Sequence, residues 1–119
     1  MKVFDLTNDE IREGWISELR DLAKIYAKAK GNRMQLEEFR KVRKNTLMKR
    51  AELDGYNAIG AQEREAYAHP EYERLIHGLA QATQAEAEAL WKLRIEEMRF
   101  EAWRTNQANF RAERMRYGT

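Results

Sequence analysis

The side chains best suited to chemistry in this sequence are basic residues on a predicted helix. From Phe39 to Arg50 there are six basic residues and no acid. On a helix they cover more than half of the circumference, so at least three can face a phosphate backbone together. The pattern predicts a nucleic-acid-binding patch, which we call the basic run. Its members are Arg40, Lys41, Arg43, Lys44, Lys49 and Arg50. A solvated helix face, or a partner for acids on another helix, explains the same residues.

The end of the sequence gives a second candidate surface. Residues 103–117 interleave aromatic, arginine and amide side chains, which can stack on bases and contact phosphates. Its candidate contacts are Arg104, Arg111 and Arg114. Trp103 and Phe110 are also seven residues apart, which is the coiled-coil period, so a dimer seam flanked by arginines explains the same pattern. Both interpretations hold if a dimer presents the arginines outside its aromatic seam.

Residues for catalysis or metal binding are sparse. The sequence has no cysteine and two histidines, and neither histidine lies in a zinc or di-iron motif. Glu73 and His77 are one helical turn apart, which an ordinary surface hydrogen bond explains best. Glu96, Glu97 and Glu101 lie three or four residues from arginines, which predicts exposed ion pairs. We therefore expect no catalytic residue, no metal site and no cofactor.

Composition indicates one all-α domain. The 119 residues are 35% charged and include six glycines and one proline, too few turn residues for a sandwich or barrel. No apolar run approaches the ~20 residues of a membrane span, and the amino terminus lacks a signal-peptide core. These features predict a cytoplasmic protein that makes no use of a membrane.

Helix signals divide the sequence into four segments. A capping box, Thr7 to Glu10, predicts a helix over about 8–30 that Gly31 ends, and Val3, Phe4 and Leu6 could staple the entering chain onto it. A second helix is expected over 34–54 with Gly55 as its terminator. A short helix over 61–67 and a long one over 70–117, opened by Pro70, complete the prediction.

The long helix sets the expected architecture. A three-four walk from Tyr72 to Tyr117 marks one stripe, in which the acids Glu86 and Glu96 interrupt a pure coiled-coil seam. About 48 residues extend ~70 Å, too far for full burial in a chain of this size. We expect a helical hairpin or small bundle, coiled-coil-like, with the earlier helices packed on the long one and self-association covering the rest. The expected oligomer or partner interface consists of Leu79, Leu90, Trp91, Leu93, Ile95, Met98, Phe100, Trp103 and Phe110.

Two segments carry a family resemblance. The stretch from Ala61 to Tyr72, AQEREAYAHPEY, and the stretch from Trp103 to Glu113, WRTNQANFRAE, together resemble a pattern in small helical proteins of tailed phages and prophages. The resemblance implies an accessory role in phage DNA replication or recombination, in the host cytoplasm. It implies no catalytic residue.

Two functions follow as hypotheses. The first is a non-enzymatic, dimeric accessory protein that binds DNA, or a DNA-bound replication or recombination protein, through its basic surfaces. The alternative is an adaptor or inhibitor that binds a phage or host protein through the apolar face around Trp91, Ile95 and Met98.

Overall fold

Three helices make up the structure. The computed structural model describes residues 7–117, with α1 at Asn8–Leu53, α2 at Ile59–Ala68 and α3 at Pro70–Arg116, and no strand occurs in this range. The predicted all-α class and the very long final helix are thereby confirmed. The expected staple by Val3, Phe4 and Leu6 lies outside the described residues.

The capping box predicted at the start of α1 is confirmed. The Thr7 backbone N–H donates to Glu10 Oε2 at 2.8 Å, and the Glu10 backbone N–H donates to Thr7 Oγ1 at 3.1 Å. Each side chain satisfies a backbone donor that has no partner within the helix. Asp9 adds negative charge to the first turn, where the helix dipole favours it.

The glycine predicted to terminate the helix of the basic run does so. Gly55 has φ 106°, in the left-handed region that favours glycine. Its N–H donates to the Glu52 carbonyl at 3.1 Å, and the Tyr56 N–H donates to the Ala51 carbonyl at 3.1 Å. These two bonds form a Schellman motif, which satisfies carbonyls that the helix leaves unpaired.

The predicted break at Gly31 is wrong, because α1 runs without interruption from Asn8 to Leu53. A glycine inside a helix costs only about 1 kcal/mol relative to alanine. Half-buried positions continue at three- and four-residue spacing on both sides of it, at Ala29, Arg33 and Leu36. Packing along this stripe outweighs the local preference of one glycine, so the two predicted helices are one.

The short second helix and the start of α3 agree with prediction to within two residues. His69 has extended backbone, and Pro70 occupies the first helical position of α3, where its missing N–H costs nothing. The His69 side chain also caps α3, since the Glu71 backbone N–H donates to its Nδ1 at 3.1 Å.

The chain forms two compact units. The central unit is Ala27–Ala87, and the terminal unit combines the residues up to Tyr26 with those from Glu88 onward. The core of the central unit is built from one leucine and small side chains, which permit close helix approach: Leu47, Ala51, Ala66 and Ala82 are buried there. Buried Gln62 donates from Nε2 to the Tyr56 carbonyl at 2.9 Å, so its amide group is satisfied.

In the terminal unit, the first part of α1 packs against the second part of α3 through aromatic rings. The Trp15 and Phe100 centroids lie 6.0 Å apart, and Phe100 stacks on Trp103 at 6.1 Å. Asn8 Nδ2 donates to Gln107 Oε1 at 3.1 Å. Every position of the predicted walk from Tyr72 to Gln107 is buried or half-buried, whereas the described residues after Gln107 are exposed.

Length alone would let α1 or α3 cross a bilayer, but within residues 7–117 neither helix contains the apolar stretch that crossing requires.

Candidate functional site

Two arginines of the basic run face an acid of α3. Arg43 Nη1 lies 3.1 Å from Glu71 Oε2, and Arg50 Nη1 lies 3.8 Å from Glu71 Oε1. One carboxylate of the central unit therefore partly offsets the charge of two basic residues. Such ion pairs are expected if the basic run binds acids of the long helix. They lower the positive electrostatic potential that a phosphate group would meet.

Lys44 is engaged as well, with α2. Its Nζ lies 5.0 Å from the centroid of the Tyr67 ring and 3.8 Å from Glu63 Oε1. Hydrogen bonding to Tyr67 raises the pKa of Lys44, desolvation opposes this shift, and the charge of Glu63 adds to it. Lys44 is thus held as a cation against α2.

The other members of the run are less constrained. Lys41 pairs with Glu38 on the same helix at 3.2 Å, and both side chains are mostly exposed. Arg40 is half-buried and Lys49 is exposed. The structure thus divides the six predicted contacts into three that form ion pairs with acids of α2 or α3 and three that form no such cross-helix pair among residues 7–117.

A strong ion pair that the sequence analysis missed joins α1 to α3 in the central unit. Arg33 Nε donates to Glu86 Oε2 at 2.6 Å, and Arg33 Nη2 donates to Glu86 Oε1 at 3.2 Å. The bonded guanidinium lowers the pKa of Glu86, against the opposing effect of desolvation, and the same bond raises the pKa of Arg33.

The position of Arg33 in its helix could have revealed this pair. It occupies a stripe position between Ala29 and Leu36, and Glu86 occupies the corresponding kind of position in α3. An arginine and a glutamate that both occupy packed positions on two facing helices are candidates to form an ion pair. Glu86 does not interrupt the packing, therefore; it contributes a cross-helix contact.

The end of α3 differs from the basic run. Arg111, Arg114 and Arg116 are exposed, and no acid among residues 7–117 forms an ion pair with them. Phe110 is 56% exposed and Tyr117 is 71% exposed on the same segment. We call residues 108–117 the α3 end; it presents cations and aromatic rings together, and all of its residues are exposed.

Arg104 precedes the α3 end and has local partners. Its Nη1 lies 2.9 Å from Glu101 Oε1, and its guanidinium lies over the Phe100 ring at 5.7 Å. With Arg111 it lines a groove of about 440 Å³ in the terminal unit. Trp103 lines the same groove but is half-buried and stacked on Phe100, so a base has less access to it than to Phe110.

The structure also divides the predicted interface residues. Leu79, Leu93, Phe100 and Trp103 are half-buried on the stripe that the three-four walk marks, and Leu90 is half-buried beside it. Four others are exposed to roughly half of their area: Trp91, Ile95, Met98 and Phe110. The stripe marked by the three-four walk is therefore largely covered by packing within the chain. A second apolar face of α3 points outward.

The histidine pair is a surface feature, whereas the carboxylate of the Glu96 pair is mostly buried. His77 Nε2 lies 3.9 Å from Glu73 Oε1, and both side chains are at least 70% exposed. Glu96 pairs with Arg99 at 2.8 Å, as the spacing of this acidic cluster predicts, but the Glu96 side chain is only 16% exposed, so the expectation of an exposed pair is wrong for this carboxylate. Within the described part of the chain, no three acidic or histidine side chains come together as a metal site would need.

No protein-family model matches the chain, and neither a curated protein nor a solved structure does so.

Proposed function

We propose that this chain is a non-enzymatic helical accessory protein that binds nucleic acid, with the α3 end as its primary contact. The observation that carries the proposal is the exposure of Arg111, Arg114 and Arg116 without an ion-pair partner among the described residues, beside exposed Phe110 and Tyr117. The resemblance to small phage proteins supports a role in phage-type DNA replication or recombination.

Physical chemistry favours a single strand as the ligand. Arginine contacts to phosphate supply affinity on any sequence, and aromatic rings stack on bases only where the bases are accessible. Phe110, Arg114 and Tyr117 follow one another at spacings of four and three, so they share one helix face. Arg40, Lys41 and Lys49 are expected to add weaker, charge-only contacts.

Salt dependence tests the proposal. Binding to a labelled single-stranded oligonucleotide is measured by fluorescence anisotropy at rising salt. If three arginines contact phosphates, the slope of log K against log salt is about −2, which is roughly a 20-fold loss between 50 and 200 mM. Absence of binding at the lowest salt contradicts the proposal.

A pair of triple variants locates the contact. Replacing Arg111, Arg114 and Arg116 by alanine is expected to weaken binding about tenfold or more. The matched control replaces Arg20, Lys24 and Lys28, three exposed basic residues of α1, and removes the same charge. Equal losses in both variants show that only net charge matters, which contradicts a contact at the α3 end.

A second candidate function is helix binding by the outer face of α3 in the terminal unit. Trp91 and Met98 are 56% and 58% exposed there, and Ile95 lies between them at 48%. Large apolar side chains on one outward helix face are typical of a surface that another helix covers. This face corresponds to the protein-binding alternative derived from the sequence.

A further inference from the structure

The outer face of α3 has the pattern of a second seam. Trp91, Ile95, Met98 and Ala102 follow at spacings of four, three and four, and all four are exposed. The helix packs on α1 through a different stripe, which includes Leu93 and Phe100. In the terminal unit, α3 thus has two apolar faces on which a helix can pack. The first part of α1 packs on one of these faces.

We infer that a second copy of this chain occupies this outer face, with the two α3 helices antiparallel. The inference rests on the proposed helix-binding function and names its partner. In this alignment, Trp91 lies opposite Ala102 of the second copy and Ile95 lies opposite Met98 of the second copy. The two-fold axis repeats both contacts, so the largest side chain meets the smallest one twice.

Charges beside the seam favour the same alignment. Arg94 and Glu101 lie on one flank and, with Trp91 and Met98, line a groove of about 510 Å³. The antiparallel register brings Arg94 of each copy toward Glu101 of the other, which gives two attractive pairs. On the opposite flank the same register brings Lys92 of each copy toward Arg99 of the other, and Glu96, 2.8 Å from Arg99, partly offsets this repulsion.

Other registers fit less well. An antiparallel pairing shifted by seven residues, which is one heptad, places Arg94 opposite Arg94 of the second copy, so the like charges repel. A parallel pairing stacks Trp91 on the Trp91 of the second copy and removes the large-to-small match. The fit to a second copy is thus specific in both shape and charge.

The oligomeric state in the absence of nucleic acid tests the inference. Sedimentation equilibrium is expected to give the mass of two chains for the wild type. Trp91→Ala should raise the dissociation constant of the dimer about tenfold or more, because a central aromatic residue is removed. The matched control is Phe39→Ala, which removes another exposed ring, in the central unit, and should leave the mass unchanged.

Charge exchange separates a second copy from any other partner. Arg94→Glu alone should weaken the dimer, and adding Glu101→Arg should restore it, since each pair then forms with reversed sign. Rescue requires that both partners carry the same two changes, which only self-association provides. No rescue in the double variant, with helix content retained by circular dichroism, overturns the inference.

Crosslinking tests the register directly, because the chain has no native cysteine. Ile95→Cys and Met98→Cys variants, carrying tags of different mass, are mixed and oxidised. The antiparallel register predicts that the mixed disulfide dominates over either self-crosslink.

A wild type that stays monomeric at high concentration overturns the inference and leaves the face to another protein. Loss of nucleic-acid binding in the triple variant of the α3 end, with an unchanged dimer, would concern the first proposed function alone.

Discussion

The central and terminal units solve the same packing problem with different side chains. In the central unit, cross-helix ion pairs such as Arg33 with Glu86 and Arg43 with Glu71 accompany a core of small residues. In the terminal unit the helices meet through Trp15 and Phe100, and the ion pairs among its described residues join neighbours on one helix. Charges used between helices are less available to a ligand. The comparison therefore favours the terminal unit as the place of the proposed contact.

The largest expected effect is on the core of the central unit. Leu47 is 3% exposed, so Leu47→Ala should lower the free energy of unfolding by about 2–3 kcal/mol through lost burial and a cavity. Urea titration followed by circular dichroism measures it. The control is Leu93→Ala in the terminal unit, where half-burial predicts about half of the loss. A larger loss of unfolding free energy in Leu93→Ala would mean that the terminal unit, and not the central unit, has the better packed core.

The aromatic contact of the terminal unit should show the next largest effect. Trp15→Ala removes the ring that meets Phe100, and because Trp15 is only half-buried we expect a loss of about 1–2 kcal/mol. The same urea titration applies. Trp91→Ala, on the outer face of the same unit, is the matched control and should cost less than about 0.5 kcal/mol in the monomer. Equal losses of stability in the two variants would mean that the face of α1 with Trp15 is no better packed than the outer face of α3.

Two glycines should respond with opposite sign. Gly55→Ala places a side chain at φ 106° and should cost about 1–2 kcal/mol. Gly31→Ala lies inside α1 with open space around the added methyl group, and should stabilise by about 0.5–1 kcal/mol. Thermal unfolding of both variants provides the measurement. A destabilised Gly31→Ala variant would indicate that α1 is interrupted there.

The smallest expected effect is a pH dependence of the cross-helix ion pair. The folded state lowers the pKa of Glu86, so its contribution to stability is present above the unfolded value of about 4.3 and is lost as pH falls through the folded value. Glu86→Gln should therefore lower Tm at neutral pH, and the difference should shrink as pH falls below about 4. Thermal melts of both proteins across this range measure it. A difference that is constant with pH would show that the charge of Glu86 is unimportant.

Local signals predicted the parts of the fold that local chemistry controls. The capping box at Thr7, the left-handed Gly55 and the start of α3 at Pro70 depend on nearby residues and were predictable. The helix end predicted at Gly31 was wrong, because packing along a long helix outweighs the low helix propensity of one glycine. The burial of the three-four walk to Gln107 followed from periodicity alone.

The candidate site was less predictable, because its charges are redistributed by distant contacts. Arg33 and Glu86 are 53 residues apart in sequence, and Arg43 and Glu71 are 28 apart. The composition of the basic run shows its charge but not which acids approach it. The exposure of the α3 end likewise depends on distant contacts, because α1 packs along α3 as far as Asn8 and Gln107 and the described residues after Gln107 are exposed.

The most direct test compares the two basic surfaces in one assay. Affinity for a single-stranded oligonucleotide at about 100 mM salt is measured for two triple alanine variants, one at Arg111, Arg114 and Arg116, the other at Arg40, Lys41 and Lys49. The account predicts a loss of about tenfold or more for the first variant and only a few-fold loss for the second. A greater loss in the second variant would contradict the claim that the terminal unit makes the contact.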